Sequence, residues 1–145
     1  MLQRIHNMRI FWFFSATAVA LLAMPINSFG QDAKVERGKY LAEQVARCQE
    51  CHTPKLPNGD FDRLQWLKGA TLVGVPSAPI PDWHQKSPDI TSTSALWQRW
   101  GQDGWAKFLE TTTNPRGGKA GPPMPAYTLN AEDAEAIVAY LKSLP

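Results

Sequence analysis

Cys48-Gln49-Glu50-Cys51-His52 is the stretch whose reading decides the fold. Cys-x-x-Cys-His is the spacing that attaches haem covalently. Two cysteines three residues apart lie on one helical turn, so both thiols reach the two vinyl groups on one side of a porphyrin and add to them as thioethers. The adjoining histidine then brings its imidazole under the iron as the proximal ligand. Three other readings of the pair stay open. A thioredoxin-like dithiol expects a βαβ context. A closed zinc site wants four nitrogen or sulfur ligands, so Cys48, Cys51, His52 and the distant His84 would all have to serve. An oxidising compartment would also permit a structural disulfide.

Upstream of the motif, the first thirty residues carry an export pattern. Arg4 and Arg9 form a basic start, Ile10 to Ala23 is apolar, and Pro25 ends the run. Ser28-Phe29-Gly30 offers small residues where a signal peptidase reads, which places cleavage after Gly30 and the remaining domain at 31–145. The apolar run is shorter than the roughly 18 to 20 residues needed to span a bilayer. The alternative is an uncleaved segment that anchors the chain to the membrane.

Setting Arg4 and Arg9 aside from the 15 Lys and Arg leaves basic residues equal in number to the 13 Asp and Glu. The positive charge of the whole chain therefore belongs to the export segment and gives no support for nucleic-acid binding. Met1, Met8, Met24 and His6 lie in the same segment. Beyond it remain one methionine, Met124, and two histidines, His52 and His84. The chain has length for one domain of modest core, and a bound haem would supply much of the apolar bulk. Trp66, Trp83, Trp97, Trp100 and Trp105 suit the lining of a flat aromatic group, and equally an ordinary core.

Three segments read as helical. The first spans about Ala33 to Arg47, with an imperfect apolar face at Val35, Tyr40, Leu41 and Val45, and Gly38 marks a close helix packing. A middle helix runs from Ser94 to about Thr111 with a break near Gly101–Gly104; Trp105, Phe108 and Leu109 share a face. In the last, Asn130 is the N-cap, Glu132, Asp133 and Glu135 suit the positive helix end, and Ala134, Ile137, Val138 and Leu141 repeat at helical spacing. Between them, Thr53 to Pro88 and Thr111 to Thr128 are loops rich in Pro and Gly, with a short strand-like or helical piece around Leu64 to Leu67. Loops this long suit a chain that wraps a cofactor. The expected fold class is all-α.

Met124 stands in Gly121-Pro122-Pro123-Met124-Pro125. Proline fixes φ and stiffens the backbone, so this loop can present a thioether to iron as the sixth ligand. The alternative is a methionine that fills a gap in the core. His84, in the polar loop Pro81-Asp82-Trp83-His84-Gln85, is the rival ligand or a plain surface residue. Gly117-Gly118-Lys119 fails as a phosphate loop, since Thr113 and Ala120 stand where Gly and Ser or Thr are required. Arg116 and Lys119 form a small basic rim for an acidic partner, or solvated loop charges.

These residues together resemble the bacterial class I monohaem cytochromes c, close to the cytochrome domains that accept electrons from periplasmic alcohol, aldehyde or sugar dehydrogenases. The resemblance rests on Arg37-Gly38-Lys39-Tyr40-Leu41, Cys48 to Pro54, Pro88-Asp89-Ile90-Thr91, Trp105 to Leu109, Pro122 to Tyr127 and Asp133 to Leu141. It implies first and last helices that cross at the haem edge through Gly38, Tyr40, Tyr140 and Leu141, with long loops wrapping the haem. Asp89 departs from the family's Asn, which would put a carboxylate where an amide faces the haem. The resemblance implies one covalently attached haem c held by Cys48 and Cys51, with iron ligated by His52 and Met124. It implies a periplasmic electron carrier, not an enzyme, whose partners are redox proteins: a dehydrogenase or other donor, and a terminal oxidase or other cytochrome. The rival function is a haem protein with a labile sixth site that binds gases or reduces peroxide. The backbone carbonyl that orients His52 is expected in the proline-rich loop after the motif.

Overall fold

The computed structural model describes residues 26–74 and 76–145. Most of the expected export segment, residues 1–25, lies outside the described residues. Helix α1 covers Ile26–Tyr40 and passes directly into a π-helical turn at Leu41–Val45. There Ala46 N–H donates to Leu41 O at 2.8 Å, five residues back. The wider turn adds a residue to the helical repeat, which explains the imperfect period. The buried face is Gly38, Leu41 and Ala42 with half-buried Val35, whereas Tyr40 and Val45 are 57% and 59% exposed. Arg47, at φ 53°, ends the turn in the left-handed region and redirects the chain. A short helix α2, Gln49–His52, follows.

A long connection then runs to the third helix. It holds one 3₁₀ turn at Arg63–Gln65 and two-residue strands β1 (Ala70–Thr71) and β2 (Lys86–Ser87), which pair antiparallel. Helix α3 covers Ala95–Thr111, and Ser94 caps it by accepting from Trp97 N–H at 3.0 Å. Gly101 interrupts α3 at φ 63° and ψ −179°, a conformation that glycine adopts without penalty. Thr112, left-handed at φ 58°, closes the helix by donating its N–H to Phe108 O. Helix α4 covers Ala131–Ser143, and Asn130 Oδ1 accepts from Asp133 N–H at 2.8 Å. The all-α expectation holds; among the described residues the paired strands are a minor clasp in the loop.

The core lies where α4 meets α1 on one side and α3 on the other. Ala134, Ala136, Ile137, Val138, Tyr140 and Leu141 are buried along α4, opposite Trp97, Trp105, Phe108 and Leu109 of α3. Trp100 bridges the aromatic group, with its ring centroid 4.8 Å from that of Trp105 and 5.1 Å from that of Phe108. The α1–α4 crossing depends on Gly38. A Cβ built there overlaps the carbonyl of Ala136 and comes within 2.9 Å of Tyr140 Cβ. Of the four residues expected at the crossing, Gly38, Tyr140 and Leu141 are buried and Tyr40 points to solvent. Lys34–Glu135 and Arg37–Asp133 ion pairs at 2.6 and 2.5 Å flank the crossing. Exposed pairs of this kind contribute at most about 1 kcal/mol each, so the close backbone approach sets the geometry.

Gly38→Ala is expected to lower stability by about 1–3 kcal/mol, because the obstructing atoms are backbone and the helices must separate. Equilibrium urea unfolding measures it, and an unchanged midpoint would contradict the account.

Candidate haem-binding site

The motif helix is placed by the backbone on both sides of it. Cys48 N–H donates to Ala42 O at 2.9 Å, which ties the motif to the π turn. His52 N–H donates to Cys48 O at 2.9 Å, so both cysteines and the histidine share one turn. Cys48 and Cys51 are half-buried free thiols. Burial pushes the Cys48 thiol up to about 11, so it stays protonated at neutral pH. Glu50 faces outward, and hydrogen bonds from Arg47 and then Lys55 hold its carboxyl below the usual range.

His52 is only 6% exposed. Its Nδ1 lies 2.8 Å from Pro88 O. A carbonyl only accepts, so Nδ1 carries the proton and Nε2 keeps its lone pair. Burial lowers the His52 pKa, against the opposing hydrogen bond to Pro88 and charge of Asp89. A neutral imidazole with a free Nε2 is what a metal requires. The surrounding loop is fastened to the same turn. His52 O accepts from Gly69 N–H at 2.8 Å, Thr53 Oγ1 accepts from Leu67 N–H at 2.9 Å, and Ser87 Oγ donates to Cys51 O at 2.5 Å. Gly69 must be glycine twice over: its φ is 86°, and a Cβ there would lie 2.7 Å from Ser87 O.

The methionine loop is anchored separately. Met124 is half-buried against the core, and its N–H donates to Gly121 O at 3.2 Å. Tyr127 OH donates to Ala46 O at 3.0 Å, two residues before Cys48, which joins this loop to the motif. Burial is the first cause that raises the Tyr127 hydroxyl to about 12. Leu129 N–H donates to Leu109 O at 3.1 Å.

Several placements were not legible in the motifs. His84 is exposed but seated on the methionine loop, its N–H donating to Pro122 O at 2.8 Å. Asp89 Oδ1 accepts from both N–H and Oγ1 of Thr91, at 2.8 and 2.7 Å, so that oxygen serves its own turn. Trp66 Nε1 donates to Tyr140 OH at 3.0 Å, and Tyr140 OH donates to Glu43. This chain joins the loop, α4 and the π turn, and no local sequence pattern announces it. Arg116 and Lys119 stand exposed around a turn closed by the Thr113–Lys119 bridge.

The donors fit a covalently held haem. Two free thiols and a buried imidazole with an available Nε2 share one turn, and a thioether stands in a separately braced loop. The rival readings of the cysteines fare less well. Among the described residues, no group of three His, Cys, Asp or Glu is placed to hold a metal ion, and the motif sits between a π turn and a loop instead of in a βαβ unit.

A model of the cytochrome c family matches residues 35–145. The chain belongs to the cytochrome c family. A cytochrome c domain carries covalently attached haem c, and electron transfer is the work of the family. This cytochrome c is 34% identical over 115 residues to a protein of Cereibacter sphaeroides named diheme cytochrome c-type, covering 76% of this chain and 35% of that one. It is 32% identical to the fructose dehydrogenase cytochrome subunit of Gluconobacter japonicus, covering 75% of this chain and 22% of that one. It is 31% identical to the cytochrome c subunit of a quinone alcohol dehydrogenase of Gluconobacter oxydans, covering 79% and 24%. This cytochrome c thus spans about a third or less of the length of these relatives.

Tyr127→Phe removes the hydrogen bond to Ala46 and is expected to cost about 1 kcal/mol. It is also expected to blunt the alkaline loss of stability. The raised hydroxyl stabilises the folded state below the unfolded tyrosine's value near 10, and that contribution fades as pH climbs through about 10 to 12. Urea midpoints of wild type and variant from pH 8 to 12 check this; parallel curves would refute it.

Proposed function

We propose that this cytochrome c is an exported carrier of single electrons holding one haem. Cys48 and Cys51 would attach the haem, and His52 Nε2 and Met124 would ligate its iron. The observation that carries the reading is the buried His52 with Nδ1 committed to Pro88 O at 2.8 Å. It leaves Nε2 as the only donor, on the same turn as both thiols. One Cys-x-x-Cys-His in the whole sequence supports a single haem. Met124, the sole methionine after residue 30, stands in a loop held to the motif through Tyr127.

When bound, haem supplies the one-electron ferric/ferrous couple. The free thiols of Cys48 and Cys51 would hold it covalently as thioethers. The Pro88 carbonyl fixes the imidazole tautomer and raises the basicity of Nε2. Met124 would supply the second ligand to the iron and so exclude water and substrate from it. His/Met ligation would favour a raised potential. The expected export segment, residues 1–30, puts the domain 31–145 in the periplasm. The names of the relatives support a dehydrogenase as donor; a terminal oxidase or another cytochrome would accept the electron.

Absorption spectra of the purified protein in both oxidation states test this reading together with two variants. Met124→Ala is expected to keep covalent haem and to let the reduced iron bind carbon monoxide. An unchanged low-spin spectrum would remove Met124 from the iron. A wild type that binds carbon monoxide would favour a labile sixth site for gases or peroxide. Cys51→Ala is expected to lower covalent haem sharply, and normal haem staining on a denaturing gel would defeat that assignment.

A further inference from the structure

Residues Asp82 to Pro88 touch both ligand-bearing elements. At one end Pro88 O holds His52 Nδ1 at 2.8 Å, and Ser87 Oγ donates to Cys51 O at 2.5 Å. In the middle Lys86 and Ser87 pair with Thr71 and Ala70, and Gln85 O accepts from Leu72 N–H at 2.8 Å. At the other end His84 N–H donates to Pro122 O at 2.8 Å. The two attachments are four residues apart, a span of at most about 14 Å for extended chain. Pairing with residues 70–72 holds the middle of this segment in extended form.

The methionine side of the contact is close. A Cβ built on Gly121 would lie 2.8 Å from Asp82 O and 2.9 Å from His84 Nε2. One obstructing atom is backbone and cannot rotate away, so any side chain at 121 drives the two segments apart. Asp82 enters the strap in the left-handed region at φ 58°, where a β-branched residue is strained.

We propose that Asp82–Pro88 is a strap that fixes the position of one axial ligand relative to the other, with Gly121 and His84 as the positioning residues that seat Met124. This rests on the reading that His52 and Met124 are the axial ligands. The strap carries His52 through Pro88 and the methionine loop through Pro122, so a shift at the Gly121 contact moves the thioether relative to the imidazole. A merely structural contact would lower stability and leave ligation alone.

The test uses the full haem-loaded protein and the variants Gly121→Ala, Asp82→Val and, in parallel, Met124→Ala. The readouts are the thioether-to-ferric-iron absorption band, carbon monoxide affinity of the reduced form, haem staining on a denaturing gel and the urea midpoint. Gly121→Ala and Asp82→Val are expected to keep covalent haem, weaken the band and raise carbon monoxide affinity about tenfold, as expected for strain that competes with a weak bond. A lower urea midpoint with band and affinity unchanged would overturn the proposal. If Met124→Ala opens the iron and both strap variants behave as wild type, the strap alone fails. If Met124→Ala also leaves band and affinity unchanged, the ligand reading falls and the strap with it. Should Gly121→Ala not accumulate, Asp82→Val decides, since residue 82 is exposed and its side chain is not part of the core.

Discussion

The hydrogen bond from His52 Nδ1 to Pro88 O, spanning 36 residues of sequence, is the constraint around which the rest is arranged. A buried ring nitrogen without a partner would cost as much as a lost hydrogen bond or more. Satisfying it requires the long loop after the motif to return to the motif's own turn. The neighbouring bonds follow from that return. Gly69 N–H reaches His52 O, Leu67 N–H reaches Thr53 Oγ1, and Ser87 Oγ reaches Cys51 O. A loop that reads as irregular is therefore fixed at several points along one helical turn. The same bond decides which imidazole nitrogen is free, so loop path and ligand chemistry are one problem.

The helical frame supplies the surface on which that turn rests. Gly38 lets α1 meet α4 at backbone distance, and the π turn carries the chain from that crossing into Cys48. Tyr140 ties the frame to the loop by accepting from Trp66 and donating to Glu43. Burial accordingly holds the Tyr140 hydroxyl well above its ordinary range. Tyr127 does similar work from the methionine loop by donating to Ala46 O. The loop after the motif and the methionine loop are thus both braced against the residues just before the motif.

Membership of the cytochrome c family and likeness to dehydrogenase cytochrome subunits agree with this architecture. This cytochrome c covers about a third or less of those relatives. The sequence holds a single Cys-x-x-Cys-His motif and a single methionine loop after residue 30. In the proposed reading the domain needs no second haem to ligate its own.

Much of the frame was legible because its signals are local. Ser94 and Asn130 cap helices through residues three positions ahead, Gly101 breaks α3 by its own φ, and Cys48, Cys51 and His52 share a turn by spacing alone. Gly38 announced a close approach, since a glycine inside a helix loses stability unless packing requires it. Other features depended on the path of the chain. Tyr40 and Val45 are exposed, against the apolar face expected of the first helix. Asp89 turned one carboxylate oxygen back onto Thr91. His84 read as a surface residue and sits on the methionine loop. The sequence by itself determined the all-α class, the haem motif and the candidate ligands, because spacing within a turn fixes which side chains lie together. Only the tertiary structure decided that Pro88 holds His52 and that one segment, Asp82–Pro88, reaches both the motif and the methionine loop, because contacts between distant residues depend on how intervening loops return.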